Sequence, residues 1–519
     1  MPATLDGGST GLLLGYGLAA FGLFVGLRLA QAPWRRMLWV PVLALPAMLG
    51  AAALWAGLLS AGAHSFAMLS RTVTELFGML FLLIASAIAG LLFAQVKSKV
   101  QHHRGTRLVD GSATPGGRSG AKSELTFAGC PVPAMDETKH FKLIGTTGTG
   151  KSTVIRELLA GALGRGDRAV IADPNGSYLK QFREGGGIQR ILNPFDSNAA
   201  QWDLFAEIIE LHDADQLARS LIPDYEGTDR NWRLYARTFL TAVLRQLHRA
   251  NERDVAKLYY LLVMAPAEEL RELLEATPAG PFLGQDNGKF FESVRAVANV
   301  HLAGLEHVAR QTRGEALSVR KWTREGNGIL YLPYRASEIA SLRNLISTWM
   351  RQAVFEVMNG EEGDQRLRFI VDELDALGAI DGLKDALARL RKFGGRCVLG
   401  FQSIAQVRGT YGDADAQTIV ENCGNTLILR CSASERGGTP EFASRLIGKR
   451  EIIRQQSSLS RPTRWGGGMR QTRTVSEQHA VEDAVMASEI EQLPDFSGFL
   501  KIASRPEWRK VTVSGRPHS

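Results

Sequence analysis

The chain has 519 residues, 45% of them hydrophobic and 22% charged, and a net charge of +8. That is too long for one ordinary domain and apolar enough to bury a large core, while the basic balance favours a polyanion partner, either nucleic acid or an anionic membrane face. The four cysteines, Cys130, Cys397, Cys423 and Cys431, form no CxxC pair and no His cluster accompanies them, which argues against a zinc site; Cys397 and Cys431 sit in apolar runs and read as small buried hydrophobes in a reducing compartment.

The apolar residues are unevenly spread. Residues 1 to about 96 carry very few charges, and the rest reads as a soluble globular protein. Three apolar stretches, about 11–30, 38–59 and 74–96, each approach the length of a membrane-crossing helix. A secretory signal peptide is a poor alternative for the first, because Met1 to Thr10 carries Asp6 and no Lys or Arg. Arg28, Arg35 and Arg36 cluster between the first two stretches, and Lys97, Lys99, Arg104 and Arg107 follow the third. Between the second and third lies only Arg71. The positive-inside rule then predicts an external amino terminus and a cytoplasmic remainder after Val96. Trp34, Trp39 and Trp55 suit interfacial positions or simple packing.

Residues about 105–123 read as a linker or exposed loop. From Ser123 the pattern becomes α/β. Apolar strand candidates are Phe141–Ile144, Ala169–Ala172, Ile329–Pro333, Phe369–Asp372, Cys397–Phe401 and Thr426–Arg430, with helical patterns between most of them. This alternation predicts a largely parallel sheet with helices on both faces. Residues about 205–313 break it and predict an all-helical inserted subdomain, flanked by two parts of the α/β domain at 105–204 and 314–519. The polar, arginine-bearing stretch 454–480 reads as a flexible or pore-facing loop, and two short strand-like runs, Phe499–Ala503 and Val511–Val513, close the chain.

The first strand runs into Gly145, Thr146, Thr147, Gly148, Thr149, Gly150, Lys151, Ser152 and Thr153, a match to GxxxxGK[ST] that opens a helix. Such a loop points successive N–H groups at phosphate oxygens, with the positive end of the helix behind them. Lys151 is expected to reach the β/γ phosphates of ATP, and the Ser152 hydroxyl to bind Mg2+. The strand Arg368-Phe-Ile-Val ends in Asp372 and Glu373. Asp372 suits the Mg2+ shell and Glu373 the polarisation of an attacking water. Arg391 lies in a basic helix end, either a solvated terminus or, in a ring of subunits, a group reaching the neighbour's γ-phosphate. Gln402, at the tip of the next strand, is a γ-phosphate sensor or a strand-end hydrogen-bonding amide.

Together these motifs resemble a known family. Arg104-Gly-Thr-Arg-Leu-Val, His140-Phe-Lys-Leu-Ile-Gly-Thr-Thr-Gly-Thr-Gly-Lys-Ser, Val170-Ile-Ala-Asp173-Pro-Asn-Gly, Ile370-Val-Asp-Glu-Leu and Gly400-Phe-Gln-Ser look like the type IV coupling proteins of conjugation, the TraD/TrwB class. The resemblance covers nearly the whole chain after residue 100. It implies a RecA-like P-loop ATPase at the bacterial inner membrane, forming hexameric rings around DNA. It also implies a relaxase–DNA substrate delivered to a type IV secretion channel. By motif, Lys151, Ser152, Asp372 and Glu373 keep the roles above, and Gln402 matches the family's strand-end glutamine. Arg391 has the spacing of the proposed trans-acting arginine, and Asp173 takes a structural or nucleotide-adjacent place. The family's usual anchor is two membrane helices with a periplasmic segment, whereas three stretches with short outside loops are read here.

Three other classes are weighed against this. A chromosome translocase of the FtsK type would carry a long linker and a winged-helix domain at the carboxyl end, and this tail is too short and polar. A nucleotide-gated docking receptor would not require Glu373. No Leu-Ser-Gly-Gly-Gln-like signature of ABC ATPases occurs.

Overall fold

The computed structural model describes residues 7–30, 32, 37–61, 71–94, 101–111, 125–183, 189–224, 228–434, 438–460 and 472–514. They fall into two compact units, Met1–Gln101 with Ile453–His479 and His102–Ile452 with Ala480–Ser519.

The first unit contains α1 (Gly7–Leu29), α2 (Val40–Ala61) and α3 (Arg71–Ala94). Within them Leu12–Leu29, Val40–Ser60 and Val73–Leu92 are long and apolar enough to cross a membrane. Each helix lies close to its expected stretch. Small residues let α1 and α3 approach closely: a Cβ on Gly26 would sit 2.0 Å from the Ala87 carbonyl oxygen. Outward-facing Leu13, Val42 and Leu80 are exposed, as a lipid-facing surface requires. Trp55 packs on Phe81, with ring centroids 5.3 Å apart, whereas Trp39 is exposed. Trp34, Arg35, Arg36, Lys97 and Lys99 lie outside the described residues.

The second unit is built on a ten-stranded sheet. Its strands are β1 (Leu108–Asp110), β2 (Phe141–Ile144), β3 (Arg168–Pro174), β4 (Gln189–Ile191), β5 (Ile329–Tyr334), β6 (Leu367–Val371), β7 (Gly395–Phe401), β8 (Asn425–Ile428), β9 (Ser497–Lys501) and β10 (Trp508–Thr512). Their order is β1-β10-β9-β8-β2-β7-β6-β3-β5-β4. The seven from β8 to β4 run parallel, while β9 is antiparallel to β8 and to β10, so the sheet is mixed.

Strand residues alternate between two cores, as a sheet covered on both faces requires. Val170, Ala172, Phe369 and Val371 enter one core; Ala169, Ile171 and Ile370 enter the other. The second core is closed by the helix Lys151–Gly164 and by a hairpin of Leu125–Phe127 and Cys130–Val132. Five helices between Leu211 and Arg310 follow one another without an intervening strand. Their Leu240, Val243, Phe291 and Leu302 belong to the same core as Leu332 and Trp349 beside the sheet. All four cysteines are buried and free.

Two expectations are corrected. Lys449–Ser460 and Thr472–Asp483 are twelve-residue strands, so the described part of 454–480 is extended ladder rather than loop. Part of the supposed linker, 105–123, is also strand, in β1, while 112–124 lie outside the described residues. Polar side chains do not prevent a ladder, because it is made by backbone groups.

Candidate active site

Parallel strands deliver their carboxyl ends to one edge, and β2, β7 and β6 sit side by side there. The loop leaving β2 is held on both sides. The Gly145 N–H donates to the Phe401 carbonyl (3.3 Å) and the Thr146 N–H to the Arg430 carbonyl (2.9 Å). Gly150 turns the loop into the helix at φ +111, a conformation that a side chain would strain. The Lys151 ammonium rests on the loop's own carbonyls, 2.6 Å from Gly145 O and 3.1 Å from Thr146 O. Burial lowers its pKa, while Asp372 and Glu373 pull the other way.

Asp372 directly follows the buried strand β6. Its Oδ2 accepts from Ser152 Oγ at 2.6 Å and from Tyr178 OH at 2.8 Å. Its Oδ1 is buried without a hydrogen-bond partner. Glu373, half-buried beside it, is harder to ionise than usual, first through burial and then through Asp372 and Asp375. Gln402 accepts from Thr147 Oγ1 at 3.1 Å, bridging the phosphate loop and the end of β7. A cleft of about 250 Å³ opens over Thr147, Gly148, Gly150, Lys151, Ser152 and Thr153, and Asp372, Glu373 and Gln402 also line it.

Arg391 is not brought to this cleft. It is exposed and follows the helix Leu383–Leu390, just before β7 begins. The seven residues of β7 span roughly 20 Å, so Arg391 and the phosphate loop lie at opposite edges of the sheet.

Three further side chains belong to the site. The Asp173 carboxylate accepts from the backbone N–H groups of Tyr178 (3.0 Å) and Leu179 (2.8 Å). The Asp-Pro-Asn-Gly run is therefore a turn that aims Tyr178 at Asp372. Arg156 lies one helical turn beyond Ser152, with its guanidinium carbon 5.3 Å from the centroid of the Tyr178 ring. Its Nε is buried without a hydrogen-bond partner, and it lines the cleft. The i, i+4 spacing from Ser152 was a usable signal for Arg156. Phe496, which also lines the cleft, had no local signal.

The donors fit a nucleotide triphosphate with a divalent cation. A loop of N–H groups, Lys151 and Arg156 offer positive charge to phosphates. The Ser152 hydroxyl and Asp372, with one buried oxygen lacking a partner, offer the hard oxygen ligands that Mg2+ takes.

Residues 124–514 match the family described as the type IV secretion-system coupling protein DNA-binding domain. Coupling protein TraD of Escherichia coli (strain K12) is 31% identical over 398 residues, 74% of this chain and 54% of TraD. The chain thus spans about half the length of that curated relative. The unbound bacterial conjugative coupling protein TrwBdeltaN70 superposes with a TM-score of 0.70 at 30% identity, covering 81% of this chain and 95% of that one. Plasmid coupling protein TrwB in complex with ADP and Mg2+ gives 0.69 at 29% identity over the same shares.

Proposed function

The chain belongs to the type IV secretion coupling protein family, and from that premise we propose that it is a membrane-anchored ATP hydrolase that feeds DNA to a type IV secretion channel. One observation carries the reading: the Ser152 and Tyr178 hydroxyls converge on a single oxygen of Asp372, which joins the phosphate loop to the acidic strand with Glu373 alongside.

The residues divide the work as follows. Loop N–H groups from Thr147 to Thr153 cradle the phosphates, and Lys151 exchanges its two carbonyl acceptors for phosphate oxygens. Ser152 and Asp372 would hold Mg2+, which supplies positive charge where the phosphate oxygens gather negative charge. Glu373 orients a water toward the γ-phosphorus and accepts its proton. The burial that raises its proton affinity makes it a better base. Gln402, released from Thr147, donates to the γ-phosphate and reports its presence. Arg391, remote from its own chain's cleft, reaches the γ-phosphate of a neighbouring copy in a homo-hexameric ring.

Three helices able to span a membrane and the arginine and lysine distribution support a multi-pass anchor in the bacterial inner membrane, with the sheet unit cytoplasmic. The net charge of +8 supports a largely sequence-independent grip on DNA phosphates. A relaxase bound to that DNA is the partner presented to the channel.

The test is a split between binding and turnover in the detergent-solubilised full chain. Glu373→Gln should bind Mg2+-ATP as wild type does yet hydrolyse it at least a hundredfold more slowly. Lys151→Ala should lose binding as well. Full turnover in Glu373→Gln would remove Glu373 as the base, and no turnover by wild type with Mg2+-ATP bound would remove the hydrolase reading.

A further inference from the structure

We propose that Phe496 is the stacking platform for the purine ring of the bound nucleotide, an inference that rests on nucleotide binding at the phosphate loop.

Phe496 is a bulky residue at φ +60, a left-handed conformation that such side chains rarely adopt. Strained residues of this kind cluster where a ligand is gripped. The backbone holds it there firmly. Its N–H donates to the Thr149 carbonyl at 3.1 Å, and its own carbonyl accepts from the Val513 N–H at 2.7 Å. The preceding residue, Asp495, pairs with Arg430 at 2.6 Å, and the Arg430 carbonyl accepts from the Thr146 N–H. The Phe496 turn is therefore tied to the phosphate loop at two separate points.

The ring lies against the start of the loop's helix. A Cβ on Gly150 would sit 3.0 Å from Phe496 Cδ1. With 38% of its surface exposed, the ring lines the nucleotide cleft and is the aromatic residue among those described there.

Sheet order then gives the direction. Asp372 and Glu373 follow β6, on one side of β2, and Phe496 precedes β9, on the other. A polyphosphate whose γ end lies at Lys151, Asp372 and Glu373 runs its α-phosphate and nucleoside toward the β9 side, where the Phe496 face awaits. A phenyl face stacks on any base but offers no hydrogen bond to its edge. The site should therefore favour purines for their larger ring area and treat adenine and guanine nearly alike.

The test uses equilibrium binding of Mg2+-ATP, Mg2+-GTP and Mg2+-tripolyphosphate to the full chain in detergent. Phe496→Ala should weaken ATP and GTP by about tenfold and leave tripolyphosphate unchanged. Phe496→Trp should keep ATP affinity and add a fluorescence change on ADP binding that wild type lacks. Equal loss of ATP and tripolyphosphate in Phe496→Ala, or unaltered ATP affinity, would overturn the platform, since the ring would then only shape the loop or do nothing. Without any fluorescence change, the folded Phe496→Trp protein would overturn it too. Failure of wild type to bind ATP or tripolyphosphate would instead remove the underlying nucleotide reading.

Discussion

Asp372 spends one oxygen on two hydroxyls, Ser152 and Tyr178, and keeps the other free of partners. The two hydroxyls hold the carboxylate in place for a divalent cation. Tyr178 does not line the cleft, so it acts through Asp372 as a positioning residue. Tyr178→Phe keeps the ring, its packing and its contact with Arg156. It removes one hydrogen bond to a buried charge, worth about 1.5–3 kcal/mol. The Mg2+ concentration for half-maximal ATP binding should therefore rise about tenfold or more, with metal-free ATP affinity unchanged. An unchanged Mg2+ requirement would assign Tyr178 to the core alone. Lys151, Ser152, Asp372 and Glu373 were legible in the sequence because each stands in a contiguous motif. Tyr178 was not, because its contact spans 194 residues. Phe496 escaped for the same reason: only the fold brings the carboxyl-terminal segment to the phosphate loop.

At the scale of elements, one imidazole joins a helix end to a strand start. His140 Nδ1 accepts from the Cys397 N–H at 3.0 Å, and Nε2 lies 2.9 Å from the Leu387 carbonyl, so the neutral Nε2–H tautomer satisfies both. Burial, with Arg391 and Arg396 nearby, lowers the His140 pKa to about 4. His301, partly buried, is lowered to about 4, first through loss of solvent and then through Arg233 and Arg237. A folded value below the unfolded one means that the unfolded chain takes up protons first as pH falls. The stabilisation is complete above about pH 6.5 and disappears as pH falls toward 4, with roughly 3 kcal/mol from each histidine. Thermal unfolding of the full chain should show its midpoint dropping across that window. His140→Asn, which tolerates the positive φ of 55 at this site, should flatten the drop. An equally steep drop in the variant would dismiss His140 as its cause. The main strands were legible as apolar runs, since a sheet covered on both faces needs them. Lys449–Ser460 and Thr472–Asp483 were not, because polar and charged residues dominate them and only the backbone ladder marks them as strands. β1 and β4, three residues each, are too short to show any period.

At the scale of the whole molecule, the separation of Arg391 from its own cleft is the main constraint. A ring in which each site borrows the neighbour's arginine predicts complementation. Arg391→Ala chains keep Glu373, and Glu373→Gln chains keep Arg391, so mixed rings contain some interfaces with both groups intact. Mixtures should hydrolyse ATP although neither variant does alone, and a silent mixture would argue that Arg391 acts in no neighbour's site.

The central claim is that nucleotide hydrolysis serves DNA, and ATP turnover by the full chain in detergent, with and without single-stranded DNA, tests it most directly. Turnover should rise several-fold with DNA, lose that rise as salt increases, and vanish in Glu373→Gln at every DNA concentration. Steady hydrolysis indifferent to DNA and to salt would contradict a DNA motor and leave an ATPase that serves another cargo.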